Sequence, residues 1–137
     1  MSVQHFTFKG SPVSKKNSYR RGQNGGMFKP AEVTAFEEAV GWELRAQKFY
    51  PVEGPFVIVA TFTLKNKLQD LDNVFTSLLD ALEKGGLFKN DRELVQAVIR
   101  KRVDKENPHV TLSIETLDDY SRVSRDSVLE RSLSQPA

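Results

Sequence analysis

Three observations predict a single small domain built from helices and strands. The chain's 137 residues fall in the range that one hydrophobic core serves. Two stretches carry apolar residues at helical spacing, and four others show the alternation or β-branched density of strands. Hydrophobic content of 39% with 28% charged residues suits a packed chain rather than a disordered one.

The first strand is expected around His5-Phe6-Thr7-Phe8, where polar and aromatic residues alternate before Gly10 and Pro12 interrupt them. Residues 14–29, rich in Ser, Asn, Gly, Lys and Arg, read as an exposed, mobile excursion. Pro30 suits a helix first turn, and Val33, Phe36, Val40 and Leu44 place an apolar stripe on a helix near 31–49, ended by Pro51. The run Phe56-Val57-Ile58-Val59-Ala60-Thr61-Phe62 is continuous and β-branched, as in a central strand covered on both faces. A second helix begins at Asp72 or Asn73, carries Val74, Phe75, Leu78, Leu79 and Leu82, and stops at Gly85-Gly86. Lys89-Asn90-Asp91 reads as a turn before strands near 94–103 and 110–116. The domain is thus expected over 1–118, followed by a polar, flexible tail over 119–137 with few apolar anchors. Trp42 is read as a core or subunit contact rather than a ligand platform.

Composition narrows the chemistry. With no cysteine there is no thiolate catalysis, disulfide or sulfur-ligated metal, and two histidines are too few for a histidine-rich centre. A bound metal would be held mostly by oxygen, which favours magnesium, manganese or calcium. No stretch approaches the roughly 18 apolar residues needed to cross a bilayer, and the N-terminus lacks an apolar signal core. A cytoplasmic protein with no membrane partner is therefore expected. The net charge of +2 decides little, but its distribution is uneven. Lys9, Lys15, Lys16, Arg20, Arg21 and Lys29 precede the first acidic residue, Glu32, an asymmetry suited to an arm that contacts phosphates. Tyr19 adds a ring on which a base could stack, although basic surface loops are also ordinary.

Asp70-Leu71-Asp72-Asn73 sets two carboxylates two positions apart, so in an extended segment both leave the same face and can converge on one cation. A magnesium ion takes one or two carboxylates and completes its shell with water and phosphate oxygens, which is the chemistry phosphodiester hydrolysis needs. Asp91 is the best third candidate, because a turn could return it to the start of the helix; Asp80 is the reserve, two turns along. Capping of the helix and its dipole explain Asp70 and Asp72 as well as a metal does.

In order along the chain, three blocks resemble the RusA family of Holliday-junction resolvases. They are Pro12-Val13-Ser14 with Asn17 and Tyr19-Arg20; Asp70-Leu71-Asp72-Asn73 with Leu79-Asp80-Ala81-Leu82; and Gly86-Leu87-Phe88 with Asn90-Asp91. Together they span about residues 12–115. The resemblance implies an α+β fold, a mixed β-sheet packed with two main helices, in a RusA-like homodimer. It implies a magnesium-dependent endodeoxyribonuclease, with manganese as a possible substitute, that resolves four-way DNA junctions by paired cuts in recombination and repair. Asp70, Asp72 and Asp91 would be the catalytic metal ligands, and branched DNA would be gripped by Lys15, Lys16, Asn17, Tyr19, Arg20, Arg21, Lys65, Lys67 and Lys89. The alternative is a structure-selective branched-DNA-binding protein with weak or no cleavage. A departure keeps it open: Thr76 stands where the family pattern carries a lysine, and Lys65, Lys67, Lys84 or Lys89 would have to replace it. Asn90 in place of the first Asp of the family pair leaves Asp91 in register.

Replacing Lys15 and Lys16 together by Ala is expected to weaken binding to a four-way junction and to flatten its salt dependence, measured as log Kd against log salt. An unchanged slope would make the segment an ordinary surface loop.

Overall fold

A computed structural model describes residues 3–12, 20–21, 27–28 and 31–117. Lys15, Lys16, Asn17, Tyr19, the side chains of Arg20 and Arg21, and the tail 119–137 lie outside the described residues.

The chain forms β1 (Val3–Lys9), β2 (Arg20–Arg21), β3 (Met27–Phe28), α1 (Ala31–Ala46), β4 (Phe56–Leu64), α2 (Leu71–Lys84), β5 (Leu94–Val103) and β6 (His109–Thr116). Every expected element is present, and the fold is α+β with a mixed sheet. The basic segment, expected to be an irregular excursion, contains a short antiparallel ribbon in which Arg20 pairs with Phe28 and Arg21 with Met27.

The main sheet has the order β1-β6-β4-β5. β6 runs antiparallel to both β1 and β4, whereas β5 lies parallel to β4. A parallel pair cannot be closed by a hairpin, so α2 is the crossover that carries the chain back along the sheet. Alternation along β4 sends Phe56, Ile58, Ala60, Phe62 and Leu64 to the face where Val40 and Leu44 of α1 and Val74, Leu78, Ala81 and Leu82 of α2 pack. On the opposite face Val57 and Leu117 are buried with Val3, Val59 and Val98 around them. The double-sided cover expected of β4 is thus thick on the helix side and thin on the other. At the exposed edge, Arg100, Lys101 and Arg102 give β5 a charged run of the kind that discourages pairing with another sheet.

Polar groups fix how the layers meet. Gln4, buried at the inner end of β1, donates from Nε2 to the Tyr50 carbonyl (2.9 Å) and accepts from the Tyr50 nitrogen (3.1 Å), docking the connector after α1. Glu37, on the buried face of α1, accepts from Lys84 Nζ at 3.0 Å, tying α1 to the last turn of α2. The two helices approach closely at Gly85, where an added Cβ would stand 2.8 Å from Leu44 Cδ1 and 3.5 Å from the Gly41 Cα. Gly86 then takes φ +91°, the left-handed conformation that ends the helix.

Of the two roles expected for Trp42, core or subunit contact, its position excludes the first. It is 68% exposed and is therefore not part of the core, because the buried face of α1 runs through Val33, Glu37, Val40, Gly41 and Leu44. Its ring lies 4.6 Å from the Arg45 guanidinium carbon, a surface cation–π contact.

Leu78 is fully buried where α2 meets the sheet. Leu78→Ala should lower the stability of the chain by about 2–5 kcal/mol in urea titrations, since the backbone around it is fixed by the crossover and cannot collapse into the void. A loss below about 1 kcal/mol would mean that this layer is loosely packed.

Candidate metal centre at the crossover helix

β4 ends at Leu64, and six residues later the chain turns into α2, so the end of the central strand delivers Asp70 to the helix start. The loop between them is exposed from Lys65 to Leu68 and is shaped by an Asx-type bond in which the Leu68 nitrogen donates to Asn66 Oδ1 (2.9 Å). Lys65 and Lys67 stand on this loop.

α2 begins at Leu71, ahead of the start at Asp72 or Asn73 that the sequence suggests. Asp70 is the N-cap residue, in an extended conformation (φ −73°, ψ 137°), and Val74 N donates to its carbonyl at 3.1 Å. Asp72 therefore belongs to the first helical turn, and the strand-like alternation that would aim both carboxylates the same way does not apply. Both stay together at the N-terminal turn. Asp70 makes no side-chain capping bond; its Oδ2 has the Asn73 amide Nδ2 at 3.5 Å, the outer limit of a hydrogen bond. Capping thus explains the position of Asp70 but leaves its carboxylate oxygens available. Asp72 is exposed as well. Beside them, Gln69 Oε1 is buried with no hydrogen-bond partner.

These donors fit a hard divalent cation. Two exposed carboxylates at a helix N-terminus supply oxygen ligands of the kind magnesium and manganese take, with room for water and phosphate. One turn on, the Thr76 hydroxyl donates to the Asp72 carbonyl (2.9 Å), folding back on the helix and bringing no positive charge.

Asp91 stands elsewhere. The turn after Gly86 returns it to the end of α2, not to its start: the Asp91 nitrogen donates to Glu83 Oε1 (3.2 Å), and Leu94, three residues on, pairs with Phe56 at the opposite end of β4 from Asp70. The fourteen residues of α2, at 1.5 Å each, put about 20 Å between its ends. Among the described residues no group of three or more His, Cys, Asp or Glu is placed to hold a metal ion. Asp80 is half-buried midway along α2, two turns from Asp72.

Asp91 is nonetheless well defined. It opens a 3₁₀ turn, Asp91–Glu93, that Asn90 caps by accepting from the Arg92 nitrogen at 2.9 Å. Beside it a cavity of about 790 Å³ opens, with Glu53, Glu83, Glu93, Phe56 and Phe88 in its walls. Lys89 and Asn90 also line it, so Lys89 accompanies Asp91 rather than Asp70. Lys84 is committed to Glu37 near the same end. Of the lysines weighed as a replacement at Thr76, only Lys65 and Lys67 lie near Asp70. Sequence reasoning missed Lys101, whose Nζ reaches the carbonyls of Lys67 and Gln69 from β5. The parallel register that brings it there is its only signal.

The family described as endodeoxyribonuclease RusA matches residues 9–115 of the chain. A curated crossover junction endodeoxyribonuclease RusA from Aquifex aeolicus (strain VF5) is 36% identical over 105 residues, covering 75% of this chain and 83% of the relative. No helix among the described residues is long and apolar enough to cross a membrane.

Asn90→Ala should destabilise the chain by about 0.5–2 kcal/mol through loss of the cap. Hydrogen exchange at the Arg92 amide, whose acceptor is removed, should accelerate. Unchanged exchange there would show that the turn is held by its other contacts.

Proposed function

Because the chain belongs to the RusA family of endodeoxyribonucleases, we propose that it hydrolyses phosphodiester bonds in four-way DNA junctions, using a divalent ion held by Asp70 and Asp72. Nucleases of this family are generally dependent on a divalent metal. The observation that carries the reading is the pair of exposed carboxylates at the start of α2, with Asp70 making no side-chain cap bond. When bound there, a divalent ion, magnesium in the first instance, polarises the scissile phosphate and eases deprotonation of a water. The protein's own part is to fix the carboxylates at the helix N-terminus, where the α2 dipole favours negative charge, and to set lysines beside the DNA backbone. Lys65 and Lys67, exposed on the loop leading to Asp70, would contact phosphates flanking the cut. Lys15, Lys16, Asn17, Tyr19, Arg20 and Arg21 would extend that grip.

Asp91 enters this reading through a second copy of the chain. Held at the far end of α2, it cannot share an ion with Asp70 and Asp72 of its own chain. In a two-fold dimer with the α2 helices side by side and antiparallel, each Asp91 would meet the Asp70 and Asp72 of the other copy. The surroundings suit such an exchange: Glu53, Glu83 and Glu93 line the cavity beside Asp91, and Lys65 and Lys67 flank Asp70. A two-fold axis would also match the near two-fold symmetry of a four-way junction and give paired cuts.

Thr76 favours a second reading, junction binding with weak cleavage, because its hydroxyl is turned onto the helix and leaves no cation one turn from Asp72. Incubation with a mobile four-way junction in magnesium separates the two. Paired nicks support the nuclease, and tight binding with uncut DNA supports the binder.

The shared site has its own test. Asp70→Asn and Asp91→Asn should each abolish cutting while retaining junction binding. Mixing the two variants under exchange should restore single-strand nicking, since a heterodimer holds one complete site and one doubly altered site. An inactive mixture, with exchange verified, would confine each site to one chain; full activity of Asp91→Asn alone would remove Asp91 from the centre.

A further inference from the structure

β5 brings a lysine to the loop that carries Asp70. Lys101 pairs with Phe62 in the parallel register, near the end of β4 from which that loop departs. It lies two residues after Ile99, which packs against the helix-covered core, so period-two alternation places Lys101 on the face that α2 covers. Its Nζ donates to the Lys67 carbonyl at 3.3 Å and to the Gln69 carbonyl at 3.1 Å. The second acceptor is the carbonyl of the peptide whose nitrogen belongs to Asp70.

One ammonium thus bridges two loop carbonyls two residues apart and ties them to the sheet. Within the loop the Asn66 side chain holds Leu68, so the approach to Asp70 is fixed from inside by an amide and from outside by a cation. An ammonium has three N–H donors. Two are taken by the carbonyls, and no described residue takes the third. An exposed lysine is ordinarily a mobile, solvated side chain, and two backbone bonds from one such group mark a place where loop geometry is held.

We propose that Lys101 is a positioning residue for the Asp70–Asp72 centre: it holds the Gln69–Asp70 peptide against β5, and with it the Asp70 carboxylate at the start of α2. Its ammonium is also a positive charge bonded to the residue before Asp70, whereas Thr76 brings none. This rests on the reading of Asp70 as a metal ligand. Residues that orient a metal ligand typically change metal affinity or activity about 10- to 100-fold when altered.

The test uses the full chain as wild type, Lys101→Met, Lys101→Arg and Asp70→Asn. Manganese binding is measured by electron paramagnetic resonance without DNA, and exchange of the 68–71 amides is followed in parallel. Junction affinity is measured in EDTA, and single-turnover cutting in magnesium. Lys101→Met should weaken manganese binding about tenfold and slow cutting by about 10- to 100-fold, with junction affinity nearly unchanged. The 68–71 amides should exchange faster, and Lys101→Arg should recover most of each loss. Wild-type manganese affinity in Lys101→Met would overturn the proposal, as would a rate loss matched by an equal loss of junction affinity, which would make Lys101 a plain DNA contact. If Asp70→Asn binds manganese like wild type, the metal reading itself fails; if Asp70→Asn loses the ion and Lys101→Met keeps it, only the role of Lys101 fails.

Discussion

Two neighbouring strands that run the same way must be joined by a segment that crosses the length of the sheet. In this chain β4 and β5 are that pair and α2 is the segment. Nearly every feature of the candidate centre follows from the pairing. It sets Asp70 and Asp72 where β4 passes into α2, and it sets Asp91 where α2 passes into β5. It also aligns the far end of β5 with the far end of β4, which is how Lys101 comes to lie against the loop before Asp70. Burial of Val74, Leu78, Ala81 and Leu82 fixes the helix against the sheet, so its two ends stay apart by the helix length.

That separation turns a question of chemistry into one of assembly. A hydrolytic centre gains from a third carboxylate only if that group reaches the same ion, and about 20 Å of helix forbids it within one chain. The proposed pair of antiparallel helices related by a two-fold axis would remove the obstacle without moving any backbone, since the end of one would lie beside the start of the other. The near two-fold symmetry of a four-way junction and the position of Asp91 would both be met by that one proposed arrangement.

The loop from Lys65 to Asp70 shows a second economy. Its backbone is held by partners other than the candidate carboxylates: Asn66 takes the Leu68 nitrogen, and Lys101 takes the carbonyls of Lys67 and Gln69. The Asp70 carboxylate makes no cap bond and is left for another use, in the field of a helix N-terminus that favours negative charge. Thr76, by contrast, directs its hydroxyl to the Asp72 carbonyl and so serves the helix rather than the ligand space.

Local runs of residues carried the secondary-structure elements and the candidate ligand types. Periodicity of 3.6 marked α1 and α2, β-branched density marked β4, and Gly85-Gly86 marked the end of α2, because these signals depend on neighbours within a few residues. The lack of cysteine and the presence of only two histidines left oxygen as the main ligand type for any metal. How distant pieces meet follows from the three-dimensional pairing of the strands. Whether Asp91 returned to the start or the end of α2, whether Trp42 was covered, and which lysine stood beside Asp70 all depended on the order and direction of strands. Strand direction is set by long-range pairing and by the packing of α2 on the sheet, and no local run of residues encodes it.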